Sequence, residues 1–221
     1  MAPTVADARS EILGRIRAAL ADVPTSERPA DVPVTREYRR VDDRPHDQLV
    51  TLFAQRVSDY RAVVRRVAAA SLRDAITEAC GEQELRRVAV APGVPEPWLP
   101  AGAELVRDDG LTAAELDAVD GALTGCAAAI AETGTIVLDG GALSGRRALT
   151  LVPDHHICVV RADQIHGQIA EALAAVAVTV TERHAPITLV SGPSASSDIE
   201  LERVEGVHGP RHLTVLIVHG G

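Results

Sequence analysis

The chain has 221 residues, of which 46% are hydrophobic and 2% aromatic, and a formal net charge of -9. That is enough apolar material for one sizeable core, while the acidic balance and the scarcity of rings argue against a nucleic-acid partner, which calls for a cationic face or a stacking platform. All 22 basic residues are arginine, which excludes a Walker A lysine, a Schiff-base lysine and a lysine general base, and leaves any cationic role in a site to guanidinium groups.

At the N-terminus, Ile12, Leu13, Ile16 and Leu20 recur at helical spacing behind Ser10, predicting a short amphipathic helix capped by that serine. Pro24, Pro29, Pro33 and Pro45 then punctuate a mixed-charge stretch that reads as an extended arm, either embracing a partner or hanging as a loose tail. Residues 1–47 therefore form a helix and arm, and residues 48–221 the main domain. Asp7 and Glu11 precede the first apolar residues and no long apolar run follows, so neither a secretory signal nor a membrane span is expected. A cytoplasmic protein is the simplest expectation.

From residue 48 the pattern alternates. Helices are predicted to begin near Asp47, Ser71 and Asp163, and strands at 61–67, 86–91, 127–138, 156–162, 187–191 and 213–219. Short apolar strands between helices predict an α/β domain with a largely parallel sheet covered on both faces. In such sheets ligands tend to bind beyond the carboxyl ends of the strands, and the stretch SGPSASSDIE, residues 191–200, is expected there. Cys80, Cys126 and Cys158 are widely spaced and lack a C-x-x-C pair, so they read as buried small hydrophobes. Three thiols cannot hold an ordinary four-cysteine iron–sulfur cluster within this chain.

Three segments carry candidate chemistry. In SGPSASSDIE, the Ser197-x-x-Glu200 spacing fits a capping box, with Asp198 in the first turn of a short helix running toward Gly206. Alternatively, Ser191, Gly192, Pro193 and Ser194 present hydroxyls and backbone N–H groups to a ligand. Neither a nucleophile elbow nor a P-loop is present, because Ser196 stands where the elbow needs glycine and lysine is absent. In AAAIAETGTIVLDGG, residues 127–141, Glu132, Thr133, Gly134 and Thr135 interrupt an apolar run. A carboxylate there either finds partners in the core or serves a cleft, and the glycine marks a bulge or close approach.

In VPDHHICVV, His155 and His156 alternate across a strand, so at most one serves a given site. His208 and His212 have helical metal-pair spacing, but Gly209 and Pro210 between them argue against that helix, and no metal is assigned. A metal held by His156 or His208 with Glu132 or Asp198 is the lesser alternative. Arg146 and Arg147, after a glycine-rich turn, either clamp a carboxylate or form an exposed charged turn.

Taken together, IAETGTIVL at 130–138, PDHHICVV at 153–160 and SGPSASSDIELERVEGVHGP at 191–210 resemble in order and spacing the lactate-utilization (LUD) domain, specifically the LutC or YkgG family. The likeness runs from the N-terminal helix to the last strand. The family pattern more often has threonine and alanine where this chain has Ser196 and Ser197. The resemblance implies a three-layer α/β fold similar to sugar-phosphate isomerases and CoA transferases, with a mainly parallel sheet. It also implies a role in oxidising L-lactate to pyruvate alongside iron–sulfur partner proteins, with no cofactor in this chain and a small organic acid as ligand. Carried over by motif, the site candidates are Glu132, Thr133, Gly134, His156, Ser191, Gly192, Pro193, Ser194, Asp198, Glu200 and His208; Glu132, His156 and His208 are assigned as catalytic groups and the others as substrate-binding ones, a division the resemblance itself does not supply. On this reading Glu132 or His156 accepts the hydroxyl proton of lactate, and His208 with the Ser-Gly-Pro-Ser backbone orients its carboxylate. The alternatives are a non-catalytic scaffold for the iron–sulfur proteins, or an independent transferase or isomerase acting on CoA esters or sugar phosphates.

Overall fold

A computed structural model describes residues 5–24, 26–31, 33–196, 204–205 and 209–220. Two compact units divide between Tyr38 and Arg39, ahead of the boundary at residue 47 expected from the prolines. In the first, helix α1 covers Val5–Ala19, so Ser10 lies inside the helix instead of capping it. Its apolar residues Ile12, Leu13 and Ile16, and Leu20 just beyond it, are exposed. The second unit takes in residues 39–45 because Asp42 is buried there. The Arg44 guanidinium holds the Asp42 carboxyl well below the usual carboxylate range, and Gln168 Nε2 donates to Asp42 at 3.0 Å.

In chain order the second unit contains α2 (His46–Asp59), β1 (Val63–Ala68), α3 (Leu72–Glu82), β2 (Arg87–Val90), β3 (Glu104–Arg107), α4 (Ala113–Asp117) and β4 (Gly121–Gly125). It continues with β5 (Ala128–Ile130), β6 (Thr135–Leu138), β7 (His155–Arg161), β8 (Ile165–His166), α5 (Ile169–Ala175), α6 (Ala177–Arg183), β9 (Thr188–Val190), β10 (Ala195–Ser196), β11 (Val204–Glu205) and β12 (His212–His219). Six strands form one sheet in the order β1-β12-β7-β4-β2-β3, and every neighbouring pair is parallel. This is the α/β architecture that the alternating pattern predicts. A second sheet, β8-β5-β6-β9, stands apart from it.

Side-chain alternation assigns the layers. Ile157 and Val159 of β7 and Leu216 and Val218 of β12 pack with Leu72, Ile76 and Cys80 of α3 and Leu116 of α4. Cys158 and Val160 of β7 and Leu213, Val215 and Ile217 of β12 pack on the other side with Leu49, Phe53 and Val57 of α2 and with Ala129 and Ile136 of the small sheet. The far face of the small sheet, through Ala128, Ile130 and Val137, meets Ala172 of α5 and Val176 just beyond it. Both faces of the sheet's centre are thus covered, which is why ICVV of β7 and LTVLIV of β12 read as continuous apolar runs, while the edge strands β1 and β3 keep arginine and no buried residue.

Three local expectations change, and β3 and β4 add two strands to those expected. The run at 127–138 is a hairpin of two antiparallel strands, β5 and β6, because Gly134 at φ +63° turns the chain between them. A Cβ on Gly134 would come within 2.8 Å of the Arg56 carbonyl carbon in α2. The helix expected from Asp163 begins only at Ile169, since Ile165 and His166 pair with β5 and Gln164 Nε2 is tied to the Cys126 carbonyl at 2.8 Å. Val204–Glu205 is a strand paired with Ala195–Ser196, so no helix reaches Gly206 through those residues. A capping box, Thr112-x-x-Glu115, starts α4.

Candidate functional site

A cleft of about 370 Å³ opens at the amino ends of β7 and β12, the opposite edge of the main sheet from the one expected. The physical reason is the second sheet, whose strand β9 delivers Ser191–Ser194 to that edge. The base includes His156, second residue of β7, and Leu213, its register partner in β12. One wall is the segment Ser191–Ser194, and facing it are Arg147, Thr150 and Leu151 from the connection between β6 and β7. Tyr60, after α2, Thr188–Val190 of β9, and Gly209 and Pro210, before β12, complete it. The Ser194 N–H donates to the Pro210 carbonyl at 2.8 Å and joins two of these segments.

Gly192 explains one feature of the serine segment. Its φ is +141°, and an added Cβ would stand 2.6 Å from Tyr60 Cβ. The backbone can lie against Tyr60 only without a side chain at this position.

His156 is buried, and its Nε2 lies 2.8 Å from Thr124 Oγ1, a fully buried hydroxyl in the neighbouring strand β4. Burial pushes its pKa down to about 4, so the imidazole is neutral at neutral pH. His155 points to the other face, as the period of two requires, and stacks on His212 with ring centroids 4.4 Å apart. Burial, then the neighbouring His212, lowers its pKa as well.

The ETGT turn reaches the cleft indirectly. Thr133 Oγ1 and Thr135 Oγ1 are 2.7 Å apart, and Thr135 Oγ1 is 2.8 Å from Ser191 Oγ. A chain of three hydroxyls therefore ends on a cleft-lining serine. Glu132 is exposed and its carboxylate accepts from Gln168 Nε2. The structure does not bring it into the cleft wall, nor does it place Gly134 there. Asp198, Glu200 and His208, together with the cap at Ser197, lie outside the described residues.

Arg146 and Arg147 have different partners. Arg146 makes a two-pronged ion pair with buried Asp108, Nε–Oδ2 2.8 Å and Nη2–Oδ1 2.8 Å. Arg147 is exposed on the cleft and, among the described residues, pairs with no carboxylate. No aspartate or glutamate is among the described cleft-lining residues, in a protein of net charge -9. The arrangement suits an anion: one guanidinium, several hydroxyls and a neutral imidazole. Reading the sequence alone missed Tyr60 and Thr150, and had no signal that would separate Arg147 from Arg146.

The other edge of the sheet carries a hollow of about 350 Å³ lined in part by His46, Arg161, Asp163 and His219, none of them among the motif residues. Among the described residues no group of three or more histidine, cysteine, aspartate or glutamate side chains could hold a metal ion. Cys80, Cys126 and Cys158 are buried and unbridged. Burial pushes the Cys80 thiol up to about 11, and hydrogen bonding to Cys158 followed by burial pushes the Cys126 thiol up, which makes poor nucleophiles of both. No helix among the described residues is long and apolar enough to cross a membrane.

Comparison with known proteins gives three concordant results. The LUD domain family profile matches residues 103–218. "Lactate utilization protein C" of Deinococcus radiodurans is 48% identical over 217 residues, 98% of each chain, and a protein of the same name from Exiguobacterium is 29% identical over 82% of this chain and 76% of its own. A crystal structure of a DUF162 family protein from Deinococcus radiodurans matches with a TM-score of 0.69 at 44% identity, covering 80% of this chain and 99% of that one.

Proposed function

The chain belongs to the LUD domain family, and from that premise we propose that it is a component of a lactate-utilization system. The observation that carries the reading is the 48% identity to a lactate utilization protein C across 98% of both chains. The cleft supplies the chemistry: Arg147 anchors a carboxylate, Ser191 and Thr150 offer hydroxyl contacts, and neutral His156, oriented by Thr124, is the group placed to exchange a proton with a bound hydroxy acid. Three cysteines fall short of the four thiolates an ordinary cluster takes, so the electrons of lactate fall to the iron–sulfur partner proteins that the LutC resemblance implies. Loss of the gene should abolish growth on L-lactate as sole carbon source, and the intact gene should restore it. Undiminished growth of the deletion strain would overturn the proposal.

A second reading is favoured by α1, whose Ile12 and Ile16 are 58% and 48% exposed. In that reading the chain is a docking subunit and the helix engages the iron–sulfur proteins. Co-purification that is lost on deleting residues 1–38, with ligand binding retained, distinguishes it from a purely catalytic role. The single cation among the described cleft-lining residues and the absence of lysine disfavour a sugar-phosphate or CoA-ester enzyme.

A further inference from the structure

The volume of the cleft does not match the size of lactate. A three-carbon acid displaces about three water volumes, about 90 Å³ at 30 Å³ per water, whereas the cleft measures about 370 Å³. Pockets above about 300 Å³ belong to the range that takes cofactor-sized ligands. The lining is also divided in character. Besides Arg147, Thr150 and Ser191 it presents Tyr60, Leu151, Leu189 and Leu213. Tyr60 and Leu189 are 48% and 56% exposed, and an occupant with an apolar body would cover both. Lactate has a single methyl group and leaves them wet.

Charge defines the other end of the ligand. Arg147 is the cleft cation among the described residues, no acid lines the cleft there, and burial keeps the neighbouring His156 uncharged at neutral pH. One positive charge suits a singly charged head better than a phosphate monoester, which carries between one and two negative charges at pH 7.

We propose that the cleft is built for a monocarboxylate with an apolar body several times the volume of lactate, its head on Arg147 and its tail over Tyr60, Leu151 and Leu189. The inference rests on reading the cleft as a carboxylate site, and it separates the ligand of this chain from the three-carbon acid that the system consumes.

The test is a calorimetric titration of the full chain with 2-hydroxy acids of three, four, six and eight carbons, with octyl phosphate as the dianionic arm. Each buried methylene is worth up to about fourfold in affinity, so affinity should climb along the series and level off once the cleft is filled. Arg147→Gln should weaken the eight-carbon acid about tenfold or more, and octyl phosphate should bind no tighter than that acid. Equal affinity for L-lactate and the eight-carbon acid would overturn the inference and leave a small-acid site standing. A gain with length that Arg147→Gln leaves intact would overturn it as unspecific apolar adsorption, and tighter binding of octyl phosphate would replace the carboxylate by a phosphate. If no acid binds, the cleft is not a carboxylate site, while the growth experiment still decides the role in lactate utilization.

Discussion

Replacing His156 by glutamine should flatten the acid side of the protein's stability profile. Burial lowers the pKa of this imidazole from 6.5 to about 4 in the folded chain, whereas the unfolded chain binds the same proton near pH 6.5. Above pH 6.5 both states are neutral and the residue contributes no pH dependence. Between pH 6.5 and 4 the unfolded state is protonated and the folded state is not, so stability falls as pH falls, by about 1.4 kcal/mol per pH unit. From pH 7 to pH 5 the loss comes to about 2 kcal/mol, and below pH 4 it levels off. Urea denaturation of wild type and His156→Gln at pH 7, 6 and 5 measures this, because glutamine does not titrate and the remaining ionisable groups are common to both proteins. The absolute stability of the variant is immaterial; the difference in slope is the readout. Equal losses in the two proteins between pH 7 and 5 would refute the claim that the imidazole beside Thr124 is held neutral by burial.

Thr135→Val keeps shape but removes the hydroxyl behind Ser191; it should cost about 1 kcal/mol in stability and weaken binding of the eight-carbon hydroxy acid, and Thr135→Ser should restore both, as followed by calorimetry. Gly192→Ala should destabilise by about 1–3 kcal/mol, read as a drop in Tm, because its Cβ would collide with Tyr60; an unchanged Tm would mean that the serine segment shifts at no cost. Arg146→Gln strips the ion pair from Asp108, whose side chain is 1% exposed, and should cost about 2–3 kcal/mol, reduced from the fully buried case because the arginine is partly solvated. Arg147→Gln should stay within about 0.5 kcal/mol of wild type in the same urea titrations, and equal effects of the two changes would show that their roles have been misassigned.

Of the main sheet, β1, β2, β7 and β12 were legible, HICVVR and LTVLIVH most plainly because their interior residues are buried on both faces, whereas β3 (ELVR) and β4 (GALTG) are too short and mixed to stand out. The small sheet was not. Its strands β5, β6, β8 and β9 are two to four residues long, and β5 and β6 are joined by a turn whose glycine looks, in sequence, like a flaw in one longer strand. Locating the site depended on that sheet. His156 and Ser191–Ser194, from two separate motifs, line one cleft, but the rule for carboxyl ends applies to sheets whose ligand loops follow the main strands. Here the serine segment follows β9, an antiparallel partner of β6, and so arrives at the amino edge. Glu132 misled for a related reason: in a strand it would have been a buried acid requiring a partner inside, whereas at a hairpin turn it reaches solvent and Gln168.

The two adjacent histidines show how strand register distributes function at that edge. In the parallel pairing of β12 with β7, His212 faces His155 and Leu213 faces His156. One register step thus puts a stacked histidine pair on the α3 side and an imidazole with a leucine on the cleft side. The stack and the Arg211–Asp154 ion pair at 2.7 Å hold the starts of β7 and β12 together, and that fixes the floor on which His156 sits. A one-residue slip would exchange the faces of every side chain in β12, burying His212 beside the cleft and turning Leu213 toward α3. The apolar alternation of Leu213, Val215 and Ile217 against the small sheet prevents that slip. Core packing and site geometry are therefore one constraint in this edge of the sheet: the residues that fix the register of β12 also decide which ring of that strand start faces the cleft.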